Sequence, residues 1–529
     1  MTKSTRAWHV VLIVGLGLSL APWRASAEAH TPKIGVHGEG CIQSKHLRDS
    51  PGVARGDQAE AQADLVVVQA PEVRAGPLAQ RFPQGSRLVR LAPSDPTPHS
   101  LTPNFFTAAD PRVSVDGTHV LFAGQKTADA SWQIWEINVD GSDVKQVTHC
   151  PGDCLKAAYL PRGQIVYTAL PGDPAAGTSR IALWPPASPS SHLSTQTGTD
   201  SQLWVSKVDG SDAHPITFGP GDFEVETVLK NGMVLATARS PLLPSRGLPA
   251  DRELYTLRLD GTGLATLRCD HQHPAVRRQA QELDDGAVVF VKSSLGSRNL
   301  GGELAWIPRG AIHDSLLTSL PIPASSPQPI AADKLLVARE SPAGPPAGRK
   351  LTLYAFDAAE GKFLTPLYTN PKLSAVEAVP VAVREPPQWY WSTLNPALQR
   401  GYFICLNSYL AEGVPHGRIA AKLTRVRVLT LDAATQREIL LGEAPLEEDG
   451  SFYIAVPPDK PVRFEVLDGA GRVVRAQRSW IWSRSGEEHG CVGCHEDRAV
   501  APENRWPLAL RRFDTPTRLD LTDHPVSAH

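Results

Sequence analysis

The chain has 529 residues, with 53 Lys and Arg against 55 Asp and Glu, and a formal net charge of −2 at pH 7. This balance excludes the basic surface of nucleic-acid-binding domains and the polybasic patches that bind acidic membranes. The 47 prolines and 42 glycines are scattered along the chain, and no long stretch has a helical apolar period. We therefore expect an all-β protein built from many short strands and turns.

The N-terminus has the pattern of a secretory signal peptide. Basic residues precede an apolar run over residues 10–20, and small residues at 25–27 supply a cleavage site. The run is too short to span a bilayer comfortably, so a membrane anchor is the weaker alternative. We expect residues 1–27 to be removed, which leaves a periplasmic protein without a membrane span. Residues 28–60 follow as an N-terminal linker.

A two-part unit recurs from residue 110 onward and predicts a β-propeller. Each unit joins a turn and an apolar strand, as in SVDGTHVLFAG (114–124), to two strands around another turn, as in WQIWEINVDGSDVKQVT (132–148). Asp-Gly between apolar runs favours a hairpin, because glycine takes the positive φ that tight turns require. Four strands per unit, at a period of about 45 to 70 residues, is typical of propeller blades.

Residues 61–385 are the predicted propeller. An incomplete unit opens it at ADLVVVQAP (63–71), and a lone strand closes it at SAVEAVPVAVRE (374–385). If the late strand completes the first blade, the ring has six blades, with seven as the alternative count. Radial closure would protect the strand edges that an open array exposes.

Two cysteines flank a Pro-Gly-Asp turn at a blade junction, in THCPGDCLKA (148–157). In an oxidising compartment the leading prediction is a local disulfide between Cys150 and Cys154. A metal site that includes His149 and a pair of free thiols are the alternatives.

Another cysteine occupies the equivalent junction after a later blade, in RCDHQHP (268–274). Cys269 could pair with Cys41 or Cys405, remain a buried thiol, or bind a metal with its neighbouring histidines. A polar turn without a ligand is favoured over the metal site.

The last third of the chain has a different pattern. Residues 386–400 begin with two prolines and lose the blade pattern, which predicts a linker. Residues 401–484 alternate apolar and polar residues at period two, with turns such as Asp449-Gly450 between the runs. This pattern predicts a small antiparallel β-sandwich. Residues 485–529 form the motif-bearing segment and tail.

That segment contains SGEEHGCVGCHEDRAVAP (485–502), in which two cysteines are followed at once by a histidine. Cys491 and Cys494 can each add through sulfur to a vinyl group of haem, with His495 as the proximal axial ligand of the iron. A lone disulfide is one alternative. Zinc is another, but no second Cys-Cys or His-His pair has zinc spacing. The motif predicts one covalent haem c, and export fits, because such haem is attached outside the bacterial cytoplasm.

The second axial ligand is inferred by elimination. Apart from the initiator, the only methionine is Met233, which falls in a predicted propeller strand. We therefore favour a histidine over a methionine, with water, lysine or tyrosine as alternatives. His524 is the first candidate, because the tail after the motif can fold back over a haem. His416 and His273 are the other candidates.

Two stretches carry a family resemblance. The Asp-Gly repeats resemble those of TolB-like and WD40-like periplasmic propellers. EEDGSFYIAVPPDKPVRFEVLD (447–468) together with RSWIWSRSGEEHGCVGCHE (478–496) is similar to proteins related to the hydrazine synthase alpha subunit. This resemblance covers roughly residues 60–505. It implies a propeller followed by a β-rich, haem-bearing region, with the motif residues as attachment and ligand residues.

One departure from that family limits what is carried over. The alpha subunit is a dihaem protein, whereas this chain has one C-x-x-C-H motif. GEGCIQSKHLRD (38–49) contains a cysteine and a histidine but no paired cysteine. Hydrazine synthesis is therefore not transferred to this chain.

Three functions remain after these observations. The favoured one is a monohaem cytochrome-like subunit that transfers electrons to or from a partner, another cytochrome or an oxidoreductase subunit. The first alternative is a haem enzyme that acts on a small, for instance nitrogenous, substrate at an open haem or in the propeller funnel. The second is a TolB-like binding scaffold without a redox role. No serine-hydrolase elbow, Walker loop or dinucleotide fingerprint occurs in a suitable context, and the sequence leaves enzymatic activity undecided.

Overall fold

The computed structural model describes residues 63–74, 76–172, 200–239, 252–267, 275–295, 301–310, 317–340, 350–432, 435, 437–477, 479–494, 503–513, 515–519 and the backbone of 524–525. Ala61–His529 form one compact unit. Regular structure in the described ranges consists of β-strands and of short 3-10 turns at Leu78–Gln80, Pro161–Gly163, Pro415–Gly417 and Leu508–Leu510. Within the same ranges no helix is long and apolar enough to cross a membrane.

Three antiparallel blades form the first half of the ring. From the central axis outward, the strands of blade 1 are β23 (Ser374–Pro380), β1 (Leu65–Ala70), β2 (Arg87–Ala92) and β3 (Asp95–Ser100). Those of blade 2 are β4 (Thr107–Val113), β5 (His119–Gln125), β6 (Gln133–Asn138) and β7 (Lys145–Gln146). Those of blade 3 are β8 (Cys154–Leu160), β9 (Gln164–Ala169), β10 (Gln202–Lys207) and β11 (His214–Pro215).

Three more blades complete the ring. They are β12 (Glu224–Val228), β13 (Val234–Arg239), β14 (Arg252–Leu257) and β15 (Ala265–Thr266) in blade 4; β16 (Val276–Glu282), β17 (Val288–Ser293), β18 (Gly302–Ile307) and the first half of β19 (Thr318–Ala331) in blade 5; the second half of β19, then β20 (Lys334–Glu340), β21 (Leu351–Asp357) and β22 (Lys362–Tyr368) in blade 6.

The ring closes through the late strand β23. It pairs antiparallel with β1, so that blade 1 is completed by residues more than 300 positions apart in sequence. The innermost strands contact one another in the order β23, β4, β8, β12, β16, β19 and again β23. The junction of blades 6 and 1 is filled by apolar side chains, among them Val67, Leu336 and Ala375. The predicted six-bladed propeller with a closing strand is confirmed.

A β-bulge interrupts the pairing of every innermost strand. In five of them a residue with positive φ lies at the bulge: Asp110, Lys156, Gln279, Ser326 and Glu377. In β12 the register shifts around Glu226. Bulges sharpen the local twist and re-aim side chains. Here they bring polar side chains from different blades together, as the contacts below show.

The C-terminal strands form two facing sheets. The first sheet has the order β30 (Glu488–Cys491), β24 (Gly401–Cys405), β27 (Phe452–Val456) and β31 (Thr517–Arg518). The second has the order β29 (Val473–Ala476), β28 (Val462–Asp468), β25 (Leu423–Leu431), β26 (Glu438–Pro445) and β32 (His524–Pro525). Phe464 bridges the sheets, with its ring centroid 5.0 Å from that of Phe403 and 5.8 Å from that of Phe452. The sandwich expected from period-two alternation is present, but it is not wholly antiparallel as predicted. β30 and β31, which come from the segment after residue 484, pair in parallel with β24 and β27.

Residues 381–400, which we call the strap, connect the propeller to the sandwich. The strap lies across one face of the propeller, since the N–H of Arg384 donates to the carbonyl of Val115 (2.8 Å) and that of Gln388 to the carbonyl of Lys230 (2.9 Å). The guanidinium of Arg162 lies over the ring of Trp391, 4.1 Å from its centroid. The predicted linker 386–400 is thus bound to the propeller surface along part of its length.

One tryptophan of the C-terminal part packs into the propeller. Trp482 is 1% exposed and belongs to the apolar cluster of blades 3 and 4. Its ring meets Phe218 and Phe223 edge-on at centroid distances of 6.0 and 5.7 Å. Its indole N–H donates to the carbonyl of Gly261 at 2.9 Å. An aromatic side chain buried with its polar atom satisfied is a strong anchor, and this one joins the two parts of the unit.

Candidate functional site

The cysteine motif begins at the end of an edge strand of the sandwich. β30 pairs in parallel with β24, so that Phe403 lies beside His489 and Cys405 beside Cys491. Side chains alternate between the two faces of a strand. In β24, Phe403 and Cys405 are buried, whereas Tyr402 and Ile404 are half-buried. Phe403 and Cys405 therefore lie on the face of the strand that packs on the core.

The loop between the motif cysteines is held by its backbone. The carbonyl of Cys491 accepts from the N–H of Leu406 (2.9 Å), and that of Val492 accepts from the N–H of Asn407 (3.1 Å). The N–H of Cys494 donates to the carbonyl of Leu410 (2.9 Å). The pairing with the segment after β24 therefore continues through the loop, which presents both cysteines from a fixed backbone.

The two motif thiols lie in different surroundings. Both are half-buried. Cys491 packs against the sandwich core with Cys405, whereas Cys494 packs against a neighbouring cluster that contains Ala411 and Ile419. Two half-buried cysteines on one short loop are the arrangement that covalent attachment of haem requires.

Cys405 is a third, fully buried thiol at this place. Burial raises the pKa of Cys405 well above its ordinary value, and the nearby Cys491 and Cys494 add to the rise. The hydroxyl of Ser408 lies 3.5 Å from the Cys405 sulfur and opposes the shift. The sequence alone indicates Cys405 only as a partner for Cys269. Its place beside the motif depends on a parallel strand pairing across 86 positions, which no local pattern signals.

His489 lies on the same face as Cys491. Its ring centroid is 5.2 Å from that of Phe403, its Nδ1 is 3.9 Å from a carboxylate oxygen of Glu487, and its side chain is 17% exposed. His489 is therefore packed into the sandwich edge beside the motif.

The predicted iron ligands are only partly within the described residues. His495 lies outside them, as does His273. His416 lies in the 3-10 turn Pro415–Gly417 with φ of 56°. The backbone of His524 is in β32, which pairs with Leu440 of β26. The tail thus returns to the sandwich at the β26 edge of the second sheet, whereas Val474 of β29, at the opposite edge, packs in the cluster that contains Cys494.

The structure contains a disulfide between Cys150 and Cys154, the pair predicted from the blade junction. The amide of Gln133 donates to the carbonyls of Cys150 (2.9 Å) and Gly152 (3.3 Å), which fixes the turn between the two cysteines. Cys41 and Cys269 lie outside the described residues. In the described part of the chain, no group of three or more His, Cys, Asp or Glu side chains is arranged to bind a metal ion.

The axis of the propeller is occupied by ion pairs. Arg81 contacts Asp110 at 2.6 Å and Glu377 at 3.1 Å. Lys156 contacts Glu224 at 3.0 Å and Glu226 at 3.1 Å. Burial alone would lower the pKa of Lys156. Glu226 and Glu224 raise the pKa by more than burial lowers it, so the pKa of Lys156 lies above its ordinary value. Each of these two cations is thus shared by two carboxylates at the axis of the propeller, where the alternative prediction placed a substrate site.

Bulge residues also bond from blade to blade. The backbone N–H of Asp110 donates to Glu377 (2.9 Å), and that of Lys156 to Asp110 (3.4 Å). The N–H of Ser326 donates to the amide oxygen of Gln279 at 2.8 Å. The polar side chains on the axis are thus used to join neighbouring blades.

A separate open cleft of about 600 Å³ lies between the strap and blades 3 and 4. Met233, Arg258, Trp389, Tyr390 and Trp391 are among its lining residues. The indole nitrogen of Trp389 is buried without a hydrogen-bond partner. Met233 lies at the turn before β13, not inside a strand as predicted, because Asn231-Gly232 forms the hairpin turn and the Asn231 side chain accepts from the Met233 N–H (3.1 Å).

Comparison with known proteins locates the motif in a family domain. Residues 411–496 match the family described as "Hydrazine synthase alpha subunit middle domain". Over 131 residues the chain is 33% identical to hydrazine synthase subunit alpha of Kuenenia stuttgartiensis. That match covers 24% of this chain and 16% of the relative, so it spans a small part of that subunit's length.

The fold is shared more widely than the sequence. The structure of Kuenenia stuttgartiensis hydrazine synthase aligns with a TM-score of 0.71 at 19% identity, over 85% of this chain and 71% of that one. TolB from Acinetobacter baumannii aligns with a TM-score of 0.40 at 13% identity, over 60% of this chain and 66% of that one. The matched domain, the sequence identity and the common fold lead to one conclusion: this chain is related to the hydrazine synthase alpha subunit.

Proposed function

We propose that this chain is an exported redox subunit that carries one haem c on Cys491 and Cys494, with His495 as an axial ligand. The supporting observation is the motif itself, since the C-x-x-C-H residues lie inside the segment 411–496 that matches the alpha subunit domain. A haem bound there would supply a one-electron redox couple. The partner is another cytochrome or oxidoreductase subunit.

The described residues fit such a group. The two thiols are half-buried rather than sealed in the core, and backbone hydrogen bonds fix the loop that carries them. A preformed loop holds both sulfur atoms in place while each thioether forms. The disulfide at Cys150 and Cys154 fits an oxidising compartment, which agrees with export through residues 1–27.

The relatives support the proposal that this chain associates with other subunits. The sequence match and the structural match are both to hydrazine synthase, and the matched sequence is named as one subunit of it. The alternative function, a haem enzyme, needs an open coordination position at the haem. Cyanide binding to the ferric protein distinguishes an open haem from a closed electron carrier.

Covalent attachment is tested with cysteine variants. Expressed with a cytochrome c maturation system and a signal peptide, the full chain should retain its haem through acid-acetone extraction. Replacing both Cys491 and Cys494 by alanine should abolish covalent haem while circular dichroism stays that of a β protein. The matched control replaces Cys150 and Cys154, the other closely spaced pair, and should keep the haem. Extractable haem in the parent protein would contradict the proposal.

His524 is the proposed second axial ligand. The proposal is supported by the return of the tail to the sandwich, where β32 pairs with β26. A second histidine ligand should make the ferric iron low-spin and keep the potential below that of methionine ligation. His524→Ala should then give a high-spin spectrum, and the control His416→Ala should not. An unchanged low-spin spectrum in His524→Ala would exclude this ligand.

A further inference from the structure

Among the described residues, Cys405 is a buried cysteine on the strand beside the motif. Cys405 and Cys491 are register partners in the parallel pair β24 and β30, and both belong to the inward face of the sheet. Adjacent strands lie about 4.7–4.9 Å apart, and disulfides join Cα atoms about 4.4–6.8 Å apart. The strand pairing therefore gives a backbone separation that suits a disulfide between these two residues.

Of the two motif cysteines, Cys491 is the better partner for Cys405. Cys494 is three residues further along the loop, where its N–H bonds to Leu410 rather than to β24. Its side chain packs in a different apolar cluster, with Ala411. Cys491 shares the sandwich core with Cys405.

We propose that Cys405 and Cys491 form a disulfide in the haem-free protein, and that this bond must be reduced before haem can be attached. The first half of this statement concerns the polypeptide alone. The second half rests on the proposed function. A thioether at position 491 requires a thiol there, so the oxidised form cannot accept haem at that position.

The bond forms by thiol–disulfide exchange with an oxidant that itself contains a disulfide, such as oxidised glutathione or a dithiol oxidase. Cys491 is half-buried and Cys405 is 2% exposed, so Cys491 reacts first. Its thiolate attacks the oxidant, forms a mixed disulfide and releases one oxidant thiolate. Cys405 then loses its proton and displaces the second oxidant sulfur. The two protein thiols are oxidised, and the oxidant disulfide is reduced to two thiols.

Peptide mapping of the haem-free chain tests the bond. The full chain, made without a maturation system, is equilibrated with oxidised glutathione, alkylated and digested with trypsin without reduction. Peptides 401–418 and 485–498, which carry Cys405 and the two motif cysteines, should be recovered as one cross-linked species. The pair Cys150–Cys154, oxidised in the structure, is the internal control for oxidising conditions.

Serine variants identify the partner, because both motif cysteines lie in one tryptic peptide. Cys491→Ser should abolish the cross-link, and Cys494→Ser should retain it. Alkylated Cys405 in a sample whose Cys150 and Cys154 are oxidised would overturn the proposal. So would a cross-link that is lost in Cys494→Ser and kept in Cys491→Ser, or a bond confined to Cys491 and Cys494.

Haem loading tests the consequence separately. Under oxidising conditions Cys405→Ser should acquire covalent haem at least about twofold better than the parent, and prior reduction should remove the difference. Cys405→Ala, checked by circular dichroism, repeats the test with a second side chain. Equal loading of the oxidised parent and the variants would overturn the requirement for reduction. If no reduced form takes haem although the cross-link is found, the proposed function fails and the disulfide stands.

Discussion

Glu224 shows how single residues in the propeller axis balance burial against charge. Its carboxylate is 2.8 Å from Arg252 and 3.0 Å from Lys156, and its side chain is 14% exposed. Burial raises the pKa of Glu224, but Arg252 and Lys156 lower it more, and the net value falls from 4.5 to about 2. The carboxylate is thus held ionised by two cations from other strands.

We expect this residue to make the protein sensitive to acid. Since its folded pKa lies below the unfolded value, the unfolded chain takes up the proton first as the pH falls. The contribution of Glu224 to the free energy of unfolding is complete above about pH 4.5 and is lost toward pH 2. At about 1.4 kcal/mol per pKa unit, it amounts to roughly 3 kcal/mol.

Glu224→Gln should lower the free energy of unfolding at pH 7 by that order and flatten its decline between pH 4.5 and 2.5. Urea unfolding at a series of pH values measures both effects. Glu72→Gln, on the exposed surface, is the control and should follow the parent curve. A Glu224→Gln protein that loses stability with pH as steeply as the parent would refute the assignment.

At the scale of elements, the propeller depends on one strand that is remote in sequence. Ala375 of β23 is fully buried between blades 6 and 1, next to Val67 and Leu336. The strand satisfies the edge of β1 that would otherwise be exposed, and open edges are sites of aggregation.

Ala375→Glu should prevent proper closure of the ring. It places an unpaired carboxylate in an apolar junction, which costs roughly 3 kcal/mol or more. Lys372→Glu introduces the same side chain at an exposed position just before the strand and should be neutral. Limited proteolysis and urea unfolding compare the two. Similar resistance of both variants would show that closure does not depend on this junction.

The sequence predicted the features that depend on local pattern. Hairpin turns such as Asp140-Gly141 and period-two alternation identified the blades, and the unpaired strand at 374–385 indicated the closure. The parallel pairing of Cys405 with Cys491 was not predictable, because parallel strands are joined by long connections without a local signal. The burial of Trp482 in the propeller was missed for the same reason, since its contacts lie more than 200 residues away.

At the scale of the whole molecule, the strap is hydrogen-bonded first to the propeller and then to the sandwich. Ser392 donates to Asp260 of blade 4 at 2.7 Å, whereas the N–H of Asn395 donates to Ser485 of the sandwich side at 3.0 Å. The change of partner favours a boundary between Leu394 and Asn395, within the predicted linker 386–400. The domain boundary itself stays a prediction.

Splitting the chain at that boundary should give two pieces that fold separately and bind each other. Each part has its own apolar core, and Trp482 joins them. Trp482→Ala in the C-terminal piece should abolish co-elution in gel filtration, because it removes a buried aromatic anchor worth about 3–5 kcal/mol. Trp506→Ala, at a side chain 63% exposed, should leave binding intact. If both pieces are unfolded by circular dichroism, the boundary is wrong.

The pairing of β1 with β23 also sets an order in time. Val68 pairs with Val376, so blade 1 lacks its inner strand until some 300 further residues have emerged into the compartment where the chain folds. Until then blades 2 to 6 can assemble one after another, while one edge of β1 keeps its backbone N–H and C=O groups unpaired. A nascent chain that stops short of Ser374 would therefore be a substrate for chaperones and proteases rather than a smaller working propeller.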